Sequence, residues 1–355
     1  VVSLSQMTTR RGAAAAMSGR YTIEGDPRVH IALYGSGEAL EAAAFDIVRQ
    51  GFGLDLERPL LSILRTGHAD FSAGALDRLQ ASTAAEVRVL AAAAGFGLDR
   101  AIADIVLDAP PLLALHCASP APGEAEALAL RWEDVLLGLR RPVPPIIAYS
   151  SASAPLGRTG MIRMAVAPDL AEARDLAELM DARARAVHAA FLNAQRAARG
   201  GAFGAAPAEV EWTSLPEAFR DDNRAVADQM EFKLAQIFML TQPGGDGVAL
   251  APAEIETLAR TAHARWWAAK ALAGWRHGDS RDDRLQLHPD MQPYDLLSEP
   301  VKQKDRDEVA SLPVMAALAG EALRRERRLG LTQALDAAAL ARLRTTLATT
   351  PKTHV

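Results

Sequence analysis

Three tryptophans and three histidines crowd one short stretch of this chain. Trp266, Trp267 and Trp275 are three of its five tryptophans, and His263, His277 and His288 are three of its eight histidines. Indoles and imidazoles at this density either build a compact aromatic core or wall a pocket for a planar or cationic guest. His263, Trp266, Trp267 and Lys270 are spaced to share one face of a helix, with Ile255, Leu258 and Ala262 turned to a core. Gly274 suits the left-handed residue that ends such a helix. The segment after it would bring Trp275, Arg276 and His277 back over the helix end. The indoles can stack on a nucleobase while Arg276 or Arg281 meets a phosphate. Asp282, His288 and Tyr294 complete this candidate set. The same residues can equally serve packing alone, with Trp266, Trp275 and His288 locking a small loop-rich fold and Arg281-Asp282 forming a local salt bridge.

A second candidate lies near the start. Tyr34-Gly35-Ser36-Gly37-Glu38-Ala39-Leu40 follows an apolar run and opens a helical one. Glycines there let the backbone approach a phosphate closely, and a helix N-terminus supplies N–H donors. Leu40 stands where a dinucleotide fingerprint has its third glycine. No acid ends the second apolar run to take ribose hydroxyls; Leu64 is followed by Arg65, which suits a 2′-phosphate, another extra phosphate or solvent. His116 and Cys117 close the fourth run, either at the ligand-bearing edge of a sheet or as a core-edge pair. The cofactor-site candidates are therefore Gly35, Ser36, Gly37, Glu38, Arg65 and His116.

Other chemistries find no footing. Cys117 is the single cysteine and no HxxxH pair is present, so no metal site is expected. No GxSxG turn offers a nucleophile, and no catalytic residue is assigned. An NAD(P)-dependent oxidoreductase is the enzyme alternative. It would need His116 as its proton-transfer group, without a Tyr-Lys or similar partner. A protein-interaction scaffold that holds no nucleotide is the other. At 355 residues the chain can bury two cores, and 49% hydrophobic with 23% charged residues describes a globular protein. A net charge of −5 argues against a nucleic-acid partner. One cysteine suits a reducing, cytoplasmic setting. No run reaches the roughly 18–20 apolar residues of a membrane span. Because the chain opens on Val1, a membrane segment or effector upstream stays open, in which case these residues are the soluble part of a membrane protein.

The elements that must position these residues follow from periodicity. Residues 1–29 read as a linker or arm. Between 30 and 168, apolar strands at His30–Tyr34, Leu60–Leu64, Val87–Leu90, Leu112–Cys117, Pro145–Tyr149 and Met161–Val166 alternate with amphipathic helices. That pattern predicts an α/β domain with a Rossmann-like parallel sheet covered on both faces. Strand signals stop after Pro168, and 169–320 reads as mainly α-helical, starting with one long helix from Asp169 to Arg199. That helix leaves one domain and enters the other, so it is the expected coupler. A helical tail is expected over 321–355. A short echo links Ala184, His188 and Phe191 to Ala259, His263 and Trp266.

Leu258-Ala259, His263, Arg265-Trp266, Gly274-Trp275-Arg276-His277-Gly278, Arg281-Asp282, His288-Pro289 and Pro293-Tyr294 resemble the RyR domain, the repeat named after ryanodine receptors. Leu296, Lys304-Asp305-Arg306 and Leu312-Pro313 continue the likeness. Trp212, Leu215-Pro216, Asn223-Arg224 and Lys233-Leu234 extend it upstream, so that it spans Asp181 to Gly320. His277 stands where an aromatic such as tyrosine is common, and Asp290 where an apolar residue is usual. Residues His30 to Tyr149 are similar to the TrkA-N family, the Rossmann-like regulatory module of bacterial potassium uptake systems and channels. That resemblance implies binding of NAD(H) or another adenine nucleotide as a regulator, without hydride transfer. Together the resemblances imply a non-catalytic nucleotide sensor, paired as a homodimer, that controls ion (potassium) transport or a defence effector.

Overall fold

The computed structural model describes residues 30–50, 59–65, 74–82, 85–91, 96–107, 112–119, 123–141, 143–150, 161–165, 170–200 and 203–325. The arm expected at 1–29 and residues 326–355 of the expected helical tail lie outside them. Six strands form one parallel sheet: β1 (His30–Gly35), β2 (Leu60–Arg65), β3 (Glu86–Ala91), β4 (Leu112–Ala118), β5 (Ile146–Ser150) and β6 (Met161–Ala165). Their order is β3-β2-β1-β4-β5-β6, which makes the domain a Rossmann-like α/β sheet. Continuous apolar runs are what a strand buried on both faces requires, and β1 is buried at every position. Leu40, Ala43, Ala44 and Ile47 of α1 (Glu38–Arg49), with Leu79 of α2 (Ala75–Ala81), cover one face. On the other, Ile102 and Ile105 of α3 (Phe96–Leu107) and Trp132 of α4 (Glu124–Gly138) surround Tyr34 and Cys117. The strand order reverses between β1 and β4, which opens the crevice where such sheets take ligands.

The helical half contains α5 (Leu170–Arg199), α6 (Glu217–Gln236), α7 (Pro252–Leu272), α8 (Glu299–Ala310) and α9 (Leu312–Leu318). Strands do not stop after the sheet domain. β7 (Met239–Pro243) pairs antiparallel with β10 (Glu321–Arg325), where the tail was expected to be helical. Two-residue strands β8 (Arg276–His277) and β9 (Leu287–His288) pair within the loop after α7.

The echo in the sequence proves to be a duplication of the whole unit. One copy runs from α5 through α6 to β7, the other from α7 through α8 and α9 to β10. His188 stacks on Phe191 with ring centroids 6.0 Å apart, and His263 on Trp266 at 5.5 Å. Each histidine uses Nε2 on a backbone carbonyl, that of Val210 at 2.7 Å or Gln292 at 2.8 Å. Each meets the first ring of a 3-10 turn 6.0 Å away, Trp212 or Tyr294. Arg185 and Arg220 lie over Trp212 as Arg260 and Lys302 lie over Tyr294. Arg224 ties Asp181 to Glu217, and Arg306 ties Glu256 to Glu299, so each clamp joins the two helices of its copy. The left-handed backbone of Phe238 before β7 has its counterpart in Gly320 before β10. The strand pair centres on Thr241 opposite Leu323, the equivalent residues, so the copies meet about a local two-fold axis. Their buried faces share one core, with Ala184, Val187 and Met230 on one side and Leu258, Ala262 and Leu312 on the other.

The two halves of the molecule also share apolar surface. α1 packs on α7, and Phe232 and Leu272 join the core cluster that contains Leu40 and Ile47. The Gln229 amide donates to the carbonyl of Gln50, just past α1. The expected coupler, α5, instead packs against α6 and α9 inside the helical half. Among the described residues no helix is long and apolar enough to cross a membrane.

Candidate functional site

At the glycine turn, close approach is indeed the reason for Gly35, but to a neighbouring strand. A Cβ at this residue, whose φ is +120°, would lie 1.8 Å from the Ala118 carbonyl oxygen. The Ser36 N–H donates to that same oxygen at 3.0 Å. Gly37 (φ 95°, ψ 175°) then starts α1, and no side chain caps the helix. The conformation is one that essentially only glycine adopts. Glu38 and Glu41 occupy the first turn, where they stabilise the positive helix end but also oppose an anion. Arg65 closes β2 directly opposite Gly35. His116 does not reach the sheet edge. It pairs with Leu33, is wholly buried, and its Nδ1 meets the Tyr149 hydroxyl at 2.9 Å. Burial lowers its pKa to about 3, so the ring is neutral and enclosed. The edge position belongs to Ala118 and Ser119, and the Ser119 hydroxyl donates to Glu124 at the start of α4.

The aromatic and histidine residues of α7 and its loop do come together. Beyond the stacking of His263 on Trp266, Trp266 meets His288 edge-on at 5.0 Å, and His288 meets Trp275 at 6.1 Å. Trp275 is carried there by a left-handed turn at Gly274 (φ +87°). Its N–H bonds the Lys270 carbonyl and that of Gly274 bonds Ala271, the paired bonds of a Schellman cap. Lys270 Nζ and the Arg281 guanidinium then lie 5.1 and 5.9 Å from the Trp275 ring centroid.

Several of these groups hold the loop itself. His288 Nδ1 accepts the Asp290 N–H at 3.1 Å, so this ring locks the turn as an acceptor. Burial lowers its pKa, with Asp290 opposing. Arg281 pairs with Asp283 at 2.7 Å and not with Asp282. Asp282 instead accepts the backbone N–H groups of Arg284 and Leu285. Tyr294 is buried beneath Arg260 and Lys302. His263, Trp266, His288 and Tyr294 therefore form an aromatic core.

Trp267, Trp275, Arg276 and His277 face outward from that core onto a cleft of about 410 Å³ between the helical half and the sheet domain. Across it stand Arg78 and Ser82, on α2 and just beyond. These two were missed in the sequence, where nothing distinguishes them from any helix-end pair. Apolar walls with a few convergent polar groups, at a domain boundary and within the range of roughly 300–1,000 Å³, are the usual form of a small-molecule site.

Comparison with known proteins adds one fixed point. No curated protein matches the chain. Residues 251–320 match the model of the family described as RyR domain. The matched segment takes in α7, its aromatic loop, α8 and α9, so that this part of the chain carries a RyR domain, whose architecture α5 and α6 repeat.

Proposed function

We propose that this chain is a non-catalytic regulator that senses a nucleotide at the glycine turn and passes the signal to its RyR domain. One observation carries the reading: α1, which begins at that turn, lies along α7, which bears the aromatic face, within one continuous core. A ligand that favours one placement of α1 thereby favours one placement of α7, and shifts the population towards it. The glycines at the switch point, the uncapped helix start and Arg65 opposite Gly35 support NAD(H) or another adenine nucleotide as the ligand. The likeness to TrkA-N modules extends the proposal to control of potassium transport or a defence effector by a cytoplasmic homodimer. The enclosure of His116 favours this over an oxidoreductase, since its one proton-transfer candidate is sealed from any substrate.

Native mass spectrometry of gently purified protein should reveal a co-purifying nucleotide, and calorimetry with NADH and ADP should give saturable binding. Ser36→Asp, which adds negative charge at the turn, should weaken that binding about tenfold or more, the scale of a charge-assisted contact. Small-angle scattering should report the accompanying change in domain arrangement. Absence of any nucleotide uptake would favour a scaffold instead.

A further inference from the structure

We infer that the cleft between α2 and the loop after α7 is a second ligand site, built for a small aromatic anion. Trp267 and Trp275 offer indole surface, Arg78 and Arg276 bring guanidinium groups, and His277 and Ser82 add polar contacts. No carboxylate appears among its described lining residues. A ring between indoles gains stacking energy, and an acidic group beside two guanidinium groups gains charge-assisted hydrogen bonds. A neutral ring or a bare anion would use only half of this surface.

Both copies of the helical unit close the same histidine–aromatic core and the same arginine clamp. The shared core and clamp are therefore made without Arg276 and His277, both of which are exposed. In the first copy the position of Trp267 is held by Leu192, buried at 3% exposure. The first copy's loop is closed by the buried Glu209 carboxylate, which accepts the N–H groups of Gly204 and Ala206 and pairs with Arg199. The second copy's loop instead carries Trp275, Arg276 and His277 to the sheet domain. What one copy has beyond the other is the wall of this cavity.

Arg78, Ala81 and Ser82 belong to the sheet domain and the remaining lining residues to the helical half. A guest would touch both, and its affinity would depend on how the halves sit. The site is separate from the glycine turn, so it holds or fails on its own.

Two sources supply an aromatic ring with an acidic group, a nucleoside monophosphate and an aromatic carboxylate. The test titrates the whole chain with adenosine monophosphate and with anthranilate, using calorimetry and tryptophan fluorescence. Adenosine and inorganic phosphate serve as the ring without charge and the charge without ring. At least one of the two anions should bind and perturb the emission, and neither control should. Trp275→Ala and Arg78→Ala should each weaken binding about tenfold or more, as loss of a stacking face or a guanidinium does. Trp275→Phe, which retains a ring, should stay within a few fold, and Arg100→Ala on the opposite face of the sheet should change nothing. Circular dichroism checks that each variant is folded.

Binding that survives both Trp275→Ala and Arg78→Ala, or phosphate binding as tightly as either anion, overturns the inference. So does the failure of both anions to bind. If nucleotide binding is lost only in Ser36→Asp and anthranilate does not bind, the cleft fails and the glycine-turn reading stands. If anthranilate binds through Trp275 and no nucleotide binds, the cleft stands and that reading fails.

Discussion

Charge is handled at the level of single residues in two ways. Lys233 is fully buried and pairs with Glu308, which also meets Arg265 at 3.1 Å. Burial by itself would raise the Glu308 carboxyl, but Lys233 and Arg265 outweigh it and hold the pKa at about 2. Lys233 is pulled down by its own burial, with Glu308 working against that. Glu308→Gln leaves a buried ammonium without its counter-charge and should cost about 3 kcal/mol in urea unfolding, whereas the double variant Lys233→Met, Glu308→Gln should recover most of it. The folded protein binds this proton less tightly than the unfolded chain. Stability from Glu308 is thus complete above its ordinary value of 4.5 and is lost as pH falls towards about 2. Glu308→Gln should flatten that part of the pH profile, and an unchanged slope would count against the triad. Arg224 shows the second way, holding Asp181, Glu217 and Asp221 with its own side chain only 7% exposed. Arg224→Ala should cost about 2–3 kcal/mol, since it strands a half-buried cluster of carboxylates. Arg281→Ala removes a pair exposed at both ends and should leave the unfolding midpoint where it is.

Elements differ in how openly the sequence announces them. Leu60-Leu61-Ser62-Ile63-Leu64 is an unbroken apolar run because β2 is covered on both faces, and so its strand character and the α/β class are legible. Glu321-Ala322-Leu323-Arg324-Arg325 consists of good helix formers and yet is a strand, since β7 offers it a ladder and Arg325 reaches Glu254. Tertiary pairing overrides local propensity there, and no window of sequence contains both strands. The aromatic face of α7 was readable from spacing, and so was the cap at Gly274. Which rings pack and which face a cavity was not, because Arg78 and Ser82 complete the cleft from a different domain. His116 was misplaced for a related reason: the register of β4 against β1 decides whether a residue lies at the edge or inside, and register is a long-range property. The cap itself is testable. Gly274→Ala should cost about 1–2 kcal/mol for the left-handed backbone. Its Cβ would also press on Gln286 Oε1 at 3.0 Å. A thermal melt at the wild-type temperature would show the loop to be softer than its hydrogen bonds imply.

Across the whole molecule, the sheet domain and the helical half are joined by apolar contact as well as by the chain. Phe232, 2% exposed, sits in the same cluster as Leu40 and Ile47 of α1. Calorimetric unfolding of the wild type should follow one transition, and Phe232→Ala, with a loss of about 3–5 kcal/mol at this contact, should divide it into two. A single transition in both would mean that the halves are coupled elsewhere. Within the helical half, the strand pair about Thr241 and Leu323 sets two near-equivalent units back to back. When identical chains associate in this manner, anything one presents is obliged to recur on its mate. A polypeptide that contains both mates escapes that obligation. Leu192 can remain a plain plug while Trp267 becomes a wall, so the helical half should take up a single aromatic guest, a lopsided stoichiometry that a true dimer of the same unit could not have.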